Sequence, residues 1–226
     1  MPNLQPCLTR AEYWILESVA ESSYPTYCLG SVKVSAIYNK PGHGLDRQEL
    51  VNTFERLMSM GWIGVADRRK NQSFEEPFHG TIDRAGIEAA LDESMDEQFT
   101  RYGLTPEGGR VWESFAQPNW DAYLECYSRG PVGKNQVGVI TSATLWRVQK
   151  ILQNVRLLGH FPNPERTRLR VLRPWKATYW KTLPVGHRAI YLFPEIPHFD
   201  RVGVGWDDMP SGFMEVYENC RWYRWK

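Results

Sequence analysis

The chain has 226 residues, a length that fits one large domain or two small ones. Apolar residues make up 42% of it and charged residues 23%, which excludes a disordered or fibrous protein. The formal net charge of +1 argues against a protein that coats nucleic acid. No stretch approaches the ~18 apolar residues of a membrane span, and residues 1–20 lack the apolar run of a signal peptide. We therefore expect a cytoplasmic protein without a membrane partner.

The charges are divided unevenly along the chain. Residues 1–126 hold 11 Lys/Arg and 19 Asp/Glu, whereas residues 127–226 hold 16 and 7, so the two halves carry −8 and +9. The sign changes near residues 128–135, a stretch rich in Gly, Pro and polar residues, as linkers are. This division predicts an acidic domain over residues 1–127 and a basic domain over residues 135–226.

Two helices of the first half are predicted from their start signals. Thr9 and Asp46 each stand three residues before a glutamate, which is the capping-box pattern. Apolar residues at helical spacing follow each cap. The second of these helices spans residues 46–60 and ends at Gly61. Residues 29–38 also suit a short helix.

Strands and two further helices complete the predicted first domain. Residues 62–66 and 99–104 have the pattern of short strands, and residues 83–95 have the composition of an acidic helix. Thr105 and Pro106 are residue types favoured at the N-cap and at the first position of a helix. A last helix is therefore predicted to begin at this point.

The order of these elements carries a resemblance. The helix over residues 46–60 leads into Gly61-Trp62-Ile63, two strands follow, and the last helix is entered through Tyr102-Gly103-Leu104-Thr105-Pro106-Glu107-Gly108. Over residues 9–117 this order resembles the winged helix family of helix-turn-helix domains, and the last segment looks like the entry to the final helix of several bacterial winged helix regulators. An insert at about residues 68–98 departs from the compact wing of that family.

A second resemblance concerns the end of the first half. Leu104-Thr105-Pro106-Glu107-Gly108-Gly109 is followed by Trp112-Glu113, by Pro118-Asn119-Trp120 and by Tyr123. This series is similar to a signature of uncharacterised bacterial proteins. The likeness implies a bacterial source and assigns no activity to the chain.

The winged helix resemblance implies a DNA-reading surface. A regulator of this family would contact DNA through polar residues of the helix over residues 46–60 and of the wing, here Arg47, Gln48, Asn52, Arg56, Arg68, Arg69 and Lys70. The exposed positions of that helix also carry three acids, and the half around it is at −8, which duplex phosphate would repel. Winged helices also bind proteins, and an acidic one fits that use better.

The second half is predicted to form a small antiparallel sheet packed on one helix, which makes the whole chain α+β. Thr141 or Ser142 would cap the helix and Gly159 would end it. Residues 168–172 alternate basic and apolar side chains, the pattern of a half-solvated strand. The remaining strands are predicted at residues 179–181, 188–193, 202–206 and 213–225.

Aromatic and basic residues interleave in three segments of the second half. Nucleic-acid channels use such pairs, because cations follow phosphates and rings stack on bases. Protein interfaces also favour Trp, Tyr and Arg, and a sheet with buried rings and exposed cations produces the same pattern. The candidate binding residues, for protein or nucleic acid, are Arg173, Trp175, Lys176, Trp180, Lys181, Arg221, Trp222 and Arg224.

Sequence motifs for catalysis are absent. There is no GxSxG elbow, no phosphate-binding GxxxxGK[ST] loop and no CxxC pair among the four cysteines. The densest set of acid–base groups comprises His198, Asp200, Asp207 and Asp208. A solvated loop is the favoured explanation of this set, and an enzyme built around it is the third candidate function. We expect no cofactor, no metal and no enzymatic activity. The expected function is binding of another protein, as an adaptor, inhibitor or immunity-type protein; the alternative is a winged-helix DNA-binding regulator.

Overall fold

The structure is a computed structural model that describes residues 7–67, 78–94, 99–129, 136–154 and 166–193. Helices and antiparallel strands both occur, so the predicted α+β class is confirmed. Residue contacts divide the chain into two units. The first comprises Met1–Ala116 with Thr178–Lys181, and the second comprises Gln117–Ala177 with Thr182–Lys226.

The described helices of the first unit are α1 (Arg10–Ser18), α2 (Tyr27–Gly30), α3 (Val34–Ile37), α4 (Arg47–Ser59), α5 (Arg84–Asp92) and α6 (Pro106–Ala116). Both predicted capping boxes are confirmed. The Thr9 hydroxyl accepts a hydrogen bond from the Glu12 amide, and the Asp46 carboxylate accepts one from the Glu49 amide at 2.8 Å. Each cap satisfies amide groups that have no partner within the helix.

The first unit has a small antiparallel sheet of β1 (Tyr24–Pro25), β2 (Ile63–Asp67) and β3 (Thr100–Leu104), in the order β1-β3-β2. Gly61, at a φ of +68°, supplies the left-handed residue that ends α4 before β2. Phe54 of α4 packs edge-on against Tyr102 of β3, and both are buried. The sheet is thereby joined to the helices by a shared core.

The second unit is built on a four-stranded antiparallel sheet. Its strands are β4 (Leu124–Arg129), β5 (Gln136–Ser142), β6 (Arg168–Leu172) and β9 (Gly186–Phe193), in the order β4-β5-β9-β6, and a short hairpin pairs β7 (Trp175–Lys176) with β8 (Thr182–Leu183). The helix α7 (Leu145–Asn154) packs on β5 and β9. Their shared core contains Ile140, Val148, Ile151, Ala189 and Tyr191.

Four residues between β7 and β8 belong to the first unit and form the segment we call the hairpin tip, Thr178–Lys181. The Tyr179 hydroxyl donates to the carbonyl oxygen of Val19 at 2.7 Å, and the Trp180 indole donates to the carbonyl oxygen of Ala20 at 2.8 Å. A methyl group at Gly109 would lie 2.1 Å from the Trp180 ring, so only glycine leaves space for it. The strand that the sequence predicts at residues 179–181 is wrong, because these residues form the hairpin tip.

The predicted start of the long helix in the second half is wrong. Thr141 and Ser142 belong to β5, where the Thr141 hydroxyl accepts from Arg188 at 2.9 Å and the Ser142 hydroxyl donates to the carbonyl oxygen of Tyr123 at 2.8 Å. Neither side chain is available as a cap, and α7 begins at Leu145. Gly159 and the predicted strands over residues 202–206 and 213–225 lie outside the described residues.

The division into units differs from the predicted domain boundary. β4 and β5 flank the Gly/Pro-rich stretch and pair with each other, so both sides of the predicted linker belong to the second unit. The charge contrast persists with the structural division. The first unit holds 12 Lys/Arg and 17 Asp/Glu, and the second holds 15 and 9, which gives −5 and +6.

Candidate functional site

The helix α4 carries the predicted DNA-reading residues of the described chain on its exposed surface: Arg47, Gln48, Asn52 and Arg56. The helix α5, which lies in the insert, packs beside α4. Arg47 donates to the Asp92 carboxylate at 2.7 Å and to the carbonyl oxygen of Glu88 at 3.3 Å. The first arginine of α4 is therefore engaged by α5.

Polar residues in the middle of α4 also form hydrogen bonds and ion pairs within the chain. The Asn52 amide oxygen accepts hydrogen bonds from Gln48 at 3.1 Å and from Arg84 of α5 at 2.9 Å. Arg84 also pairs with Glu55 at 3.0 Å, and Arg56 pairs with Glu12, which is buried. Every arginine of α4 thus faces a carboxylate of its own chain, which opposes phosphate binding. Arg68, Arg69 and Lys70, which the sequence predicts to lie in a wing, are outside the described residues.

A different surface of cations lies on the second unit, at the end of its sheet. Arg168 and Arg170 point to one face of β6 and Leu169 and Val171 to the other, as the period of two requires. All four are exposed, and the two aliphatic side chains keep 51% and 54% of their surface in water. Arg173 follows and is also exposed. We call residues 168–173 the β6 edge.

The arginines of the β6 edge differ from those of α4 in their partners. Arg168, Arg170 and Arg173 form no ion pair with the described part of the chain. Arg170 lies directly opposite Arg188 of β9. Arg188 reaches Glu125 at 3.4 Å and Thr141 at 2.9 Å. A like charge therefore faces Arg170 across the ladder, an arrangement that is unfavourable in isolation.

The aliphatic side chains of the β6 edge continue a covered face of the sheet. Leu169 lies opposite Ala189 in the ladder, and Ala189 is fully buried in the core that α7 shares with the sheet. The helix packs on β5 and β9, whereas Leu169 and Val171 on the next strand remain half-exposed. The β6 edge therefore combines apolar surface with cations that have no ion pair among the described residues, as protein interfaces do.

The described candidate residues of the aromatic–basic segments separate into two groups. Arg173 and Lys176 are exposed near the end of β6. Trp175 and Trp180 are core residues with 2% and 8% of their surface exposed, because each ring packs where a glycine leaves room for it. Lys181 is half-buried and pairs with Glu113 at 2.5 Å. The structure therefore does not gather these residues into one surface. Arg221, Trp222 and Arg224 lie outside the described residues.

The alternation of residues 168–172 predicts a strand but does not assign Arg168, Leu169, Arg170 and Val171 to a binding surface. The signal that could have found them is the apolar pair itself. A strand with one solvated face normally buries the other, whereas here both faces are exposed. The position of α7 determines which part of the sheet is covered. The sequence of β6 alone does not predict that position.

A buried ionisable cluster lies in the first unit. Lys40 donates to the Glu17 carboxylate at 3.2 Å and sits 4.1 Å from the centre of the Trp14 ring, and the Tyr13 hydroxyl donates to the second Glu17 oxygen at 3.0 Å. Burial lowers the pKa of Lys40 to about 8 and raises the pKa of Glu17 above its usual value. Both side chains are about 95% buried, so solvent has little access to the pair.

Groups that would hold a metal ion are not found in the described ranges, which contain no cluster of three His, Cys, Asp or Glu side chains. Cys7, Cys28 and Cys126 form no disulfide with one another in the part of the chain that the structure describes. His198, Asp200, Asp207 and Asp208 lie outside those ranges. Across the same residues, no helix has the length and apolarity needed to cross a membrane.

No match was found when the chain was compared with protein-family models, with curated proteins and with solved structures. We therefore infer function from the charges, exposure and pairing of the described side chains.

Proposed function

We propose that this chain is a non-enzymatic protein-binding protein of the adaptor or inhibitor type, and that the β6 edge contacts its partner. The observation that carries the proposal is the set of three exposed arginines that have no ion pair with the described residues and that flank two half-exposed aliphatic side chains. Arginine is a frequent anchor of protein interfaces, and desolvated aliphatic groups supply binding free energy. The charge of this surface calls for an acidic partner.

The apolar part of the β6 edge favours a protein over a nucleic acid. Single-stranded nucleic acids are held by cations together with aromatic rings that stack on the bases. The described aromatic side chains that next follow this edge in sequence, Trp175, Tyr179 and Trp180, are buried and offer no stacking platform. The exposed side chains beside the arginines are Leu169 and Val171, which neither stack on bases nor donate hydrogen bonds to them.

Charge reversal of the β6 edge tests this proposal. We expect affinity purification of the intact chain from the cells that make it to recover one stoichiometric acidic protein, and Arg168→Glu with Arg170→Glu to lose it, because two attractive charges become repulsive. Arg166→Glu is the matched control, since Arg166 is exposed but precedes the strand. Recovery of nucleic acid alone, or loss of the partner in the control as well, would contradict the proposal.

A winged-helix DNA-binding regulator is the second candidate, and the topology of the first unit favours it. The order is one helix, a short strand, three helices, a second strand, the helix α5, a third strand and the helix α6, with the sheet arranged β1-β3-β2. Apart from the inserted α5 and the final α6, this order is similar to that of a winged helix, and this similarity supports the second candidate. The ion pairs of α4 with α5 and Glu12 oppose this function. A salt-sensitive mobility shift of random duplex that is lost in Arg47→Ala with Asn52→Ala, but kept in Arg110→Ala, would favour the regulator.

A further inference from the structure

We infer that the β6 edge binds its partner by strand addition, and that the added strand alternates acidic and aliphatic residues. The inference rests on the proposed function and specifies how the same surface would be used. Its first support is position. β6 is the last of the described strands in the order β4-β5-β9-β6, and β9 pairs with it on one side. An edge strand directs alternate amide and carbonyl groups away from its sheet, where an extended peptide can bind them.

The side chains of β6 determine what such a strand must carry. Residues directly opposite each other in a ladder point to the same face. An added strand therefore places one set of side chains beside Arg168 and Arg170 and the alternate set beside Leu169 and Val171. Carboxylates would pair with the two arginines, and aliphatic side chains would pack against Leu169 and Val171. Adding aliphatic groups would also bury surface that now adjoins the α7 core.

The row of side chains that crosses the sheet at Arg170 supports an acidic neighbour. On this face Glu125 of β4, Thr141 of β5, Arg188 of β9 and Arg170 of β6 lie in register. Glu125 compensates Arg188, from which it lies 3.4 Å away, and leaves the Arg170 guanidinium with a cation on its inner side. A carboxylate from an added strand would lie on the outer side of Arg170 and complete a row in which each arginine has an acidic partner.

The same arginines oppose a second copy of the chain as the occupant. Antiparallel pairing of two β6 strands centred on Arg170 would place the two Arg170 side chains opposite each other, and like charges at that position are destabilising. The charge of the edge thus discourages self-association and selects an acidic strand of another protein.

Fluorescence anisotropy of the full chain with short labelled peptides tests the inference. We expect a peptide in which glutamate and valine alternate to bind. A peptide of the same composition, with its glutamates and valines in two blocks, should bind at least about tenfold more weakly. The alternating peptide with N-methylated backbone amides should also lose binding, because N-methylation removes strand hydrogen bonds but keeps the charges. Arg168→Glu with Arg170→Glu should abolish binding, whereas Arg166→Glu should retain it.

Several results would overturn strand addition. Equal binding of the alternating, block and N-methylated peptides would show simple charge attraction, which leaves the protein-binding proposal intact. If no peptide binds, but capture of the protein partner still requires Arg168 and Arg170, strand addition is likewise overturned and the protein-binding proposal stands. Stronger binding of a single-stranded oligonucleotide would overturn both proposals. A dimer in light scattering that Arg170→Glu changes would identify a second copy as the occupant, and peptide binding only after removal of residues 194–226 would identify that segment.

Discussion

Lys40 shows at the level of one residue how burial opposes charge. Its ammonium group is paired with Glu17 and lies against Trp14, and its pKa is nevertheless lowered to about 8. The largest cause is loss of water, which the attraction of Glu17 offsets only in part. The charged form of Lys40 therefore costs free energy in the folded state relative to the unfolded state.

This cost predicts a pH dependence of stability. Between pH 8 and the ordinary lysine pKa of 10.5, the unfolded state binds more protons at Lys40 than the folded state does, so stability rises with pH. Relative to Lys40→Met, we expect the unfolding free energy of the natural chain to rise by about 1 kcal/mol per pH unit from pH 8 to 10, measured by urea denaturation. The exposed Lys33→Met should keep this rise. Parallel profiles for the natural chain and Lys40→Met would contradict the assignment.

Among the elements, α6 illustrates a helix whose sequence opposes its own propensity. Gly108 and Gly109 lie in its first turns, although glycine costs helix stability by about 1 kcal/mol relative to alanine. Gly109 is required because the Trp180 ring of the hairpin tip occupies the space of a side chain. Packing therefore decides this position against local preference.

The variant Gly109→Ala distinguishes the effect of helix propensity from that of packing against Trp180. Helix propensity alone would make the variant more stable, whereas the contact with Trp180 should make it less stable by about 1–3 kcal/mol, because the ring has no free space. Thermal and urea unfolding measure the difference. Gly30→Ala is the matched control, since a methyl group there would meet its nearest neighbour at 3.6 Å and should be tolerated. A stabilised Gly109→Ala variant would exclude close packing of the tip.

Elements with a local cause were predictable from the sequence. The caps at Thr9 and Asp46 and the turn at Gly61 act within a few residues of the helix ends that they define, and all three occur as expected. The cap assigned to Thr141 or Ser142 failed because β5 pairs with strands on both sides. Strand pairing joins residues distant in sequence, and a cap pattern carries no information about it.

The candidate sites were predictable only in part, for the same reason. The alternation of residues 168–172 is visible in the sequence, but the exposure of both faces is not. The ion pair of Arg47 joins residues 45 positions apart, and the arginines of α4 are neutralised by carboxylates of α5 and α1. The hairpin tip likewise joins Trp180 to Ala20 across 160 positions. Charge and aromatic content are therefore poor guides to accessible cations and rings in this chain.

At the scale of the whole molecule, the chain passes between its two units three times, at residues 116/117, 177/178 and 181/182. The middle segment supplies two buried aromatic side chains, Tyr179 and Trp180, to a unit whose other residues end at Ala116. The first unit therefore lacks part of its core when it is cut from the rest of the chain.

A fragment of residues 1–116 tests this dependence. We expect its helix α6 to exchange amide hydrogens faster than in the full chain, because removal of a buried aromatic side chain typically costs about 3–5 kcal/mol. A peptide of residues 175–183 added in excess should restore protection, and the same peptide with Tyr179→Ala and Trp180→Ala should not. Equal protection of α6 in the fragment and in the full chain would show that the tip is dispensable.

The position of the hairpin tip in the sequence also determines when, during synthesis, the core of the first unit can be completed. Domains generally fold as units from the N-terminus while the ribosome adds about 5–20 residues per second. After Ala116, the ribosome must add another 61 residues before it reaches the tip, which corresponds to roughly 3–12 s at those rates. Throughout that interval the carbonyl oxygens of Val19 and Ala20 are without the donors that Tyr179 and Trp180 supply, and the Trp180 ring does not yet pack beside Gly109. The core of the nascent first unit is therefore complete only after the tip has been synthesised.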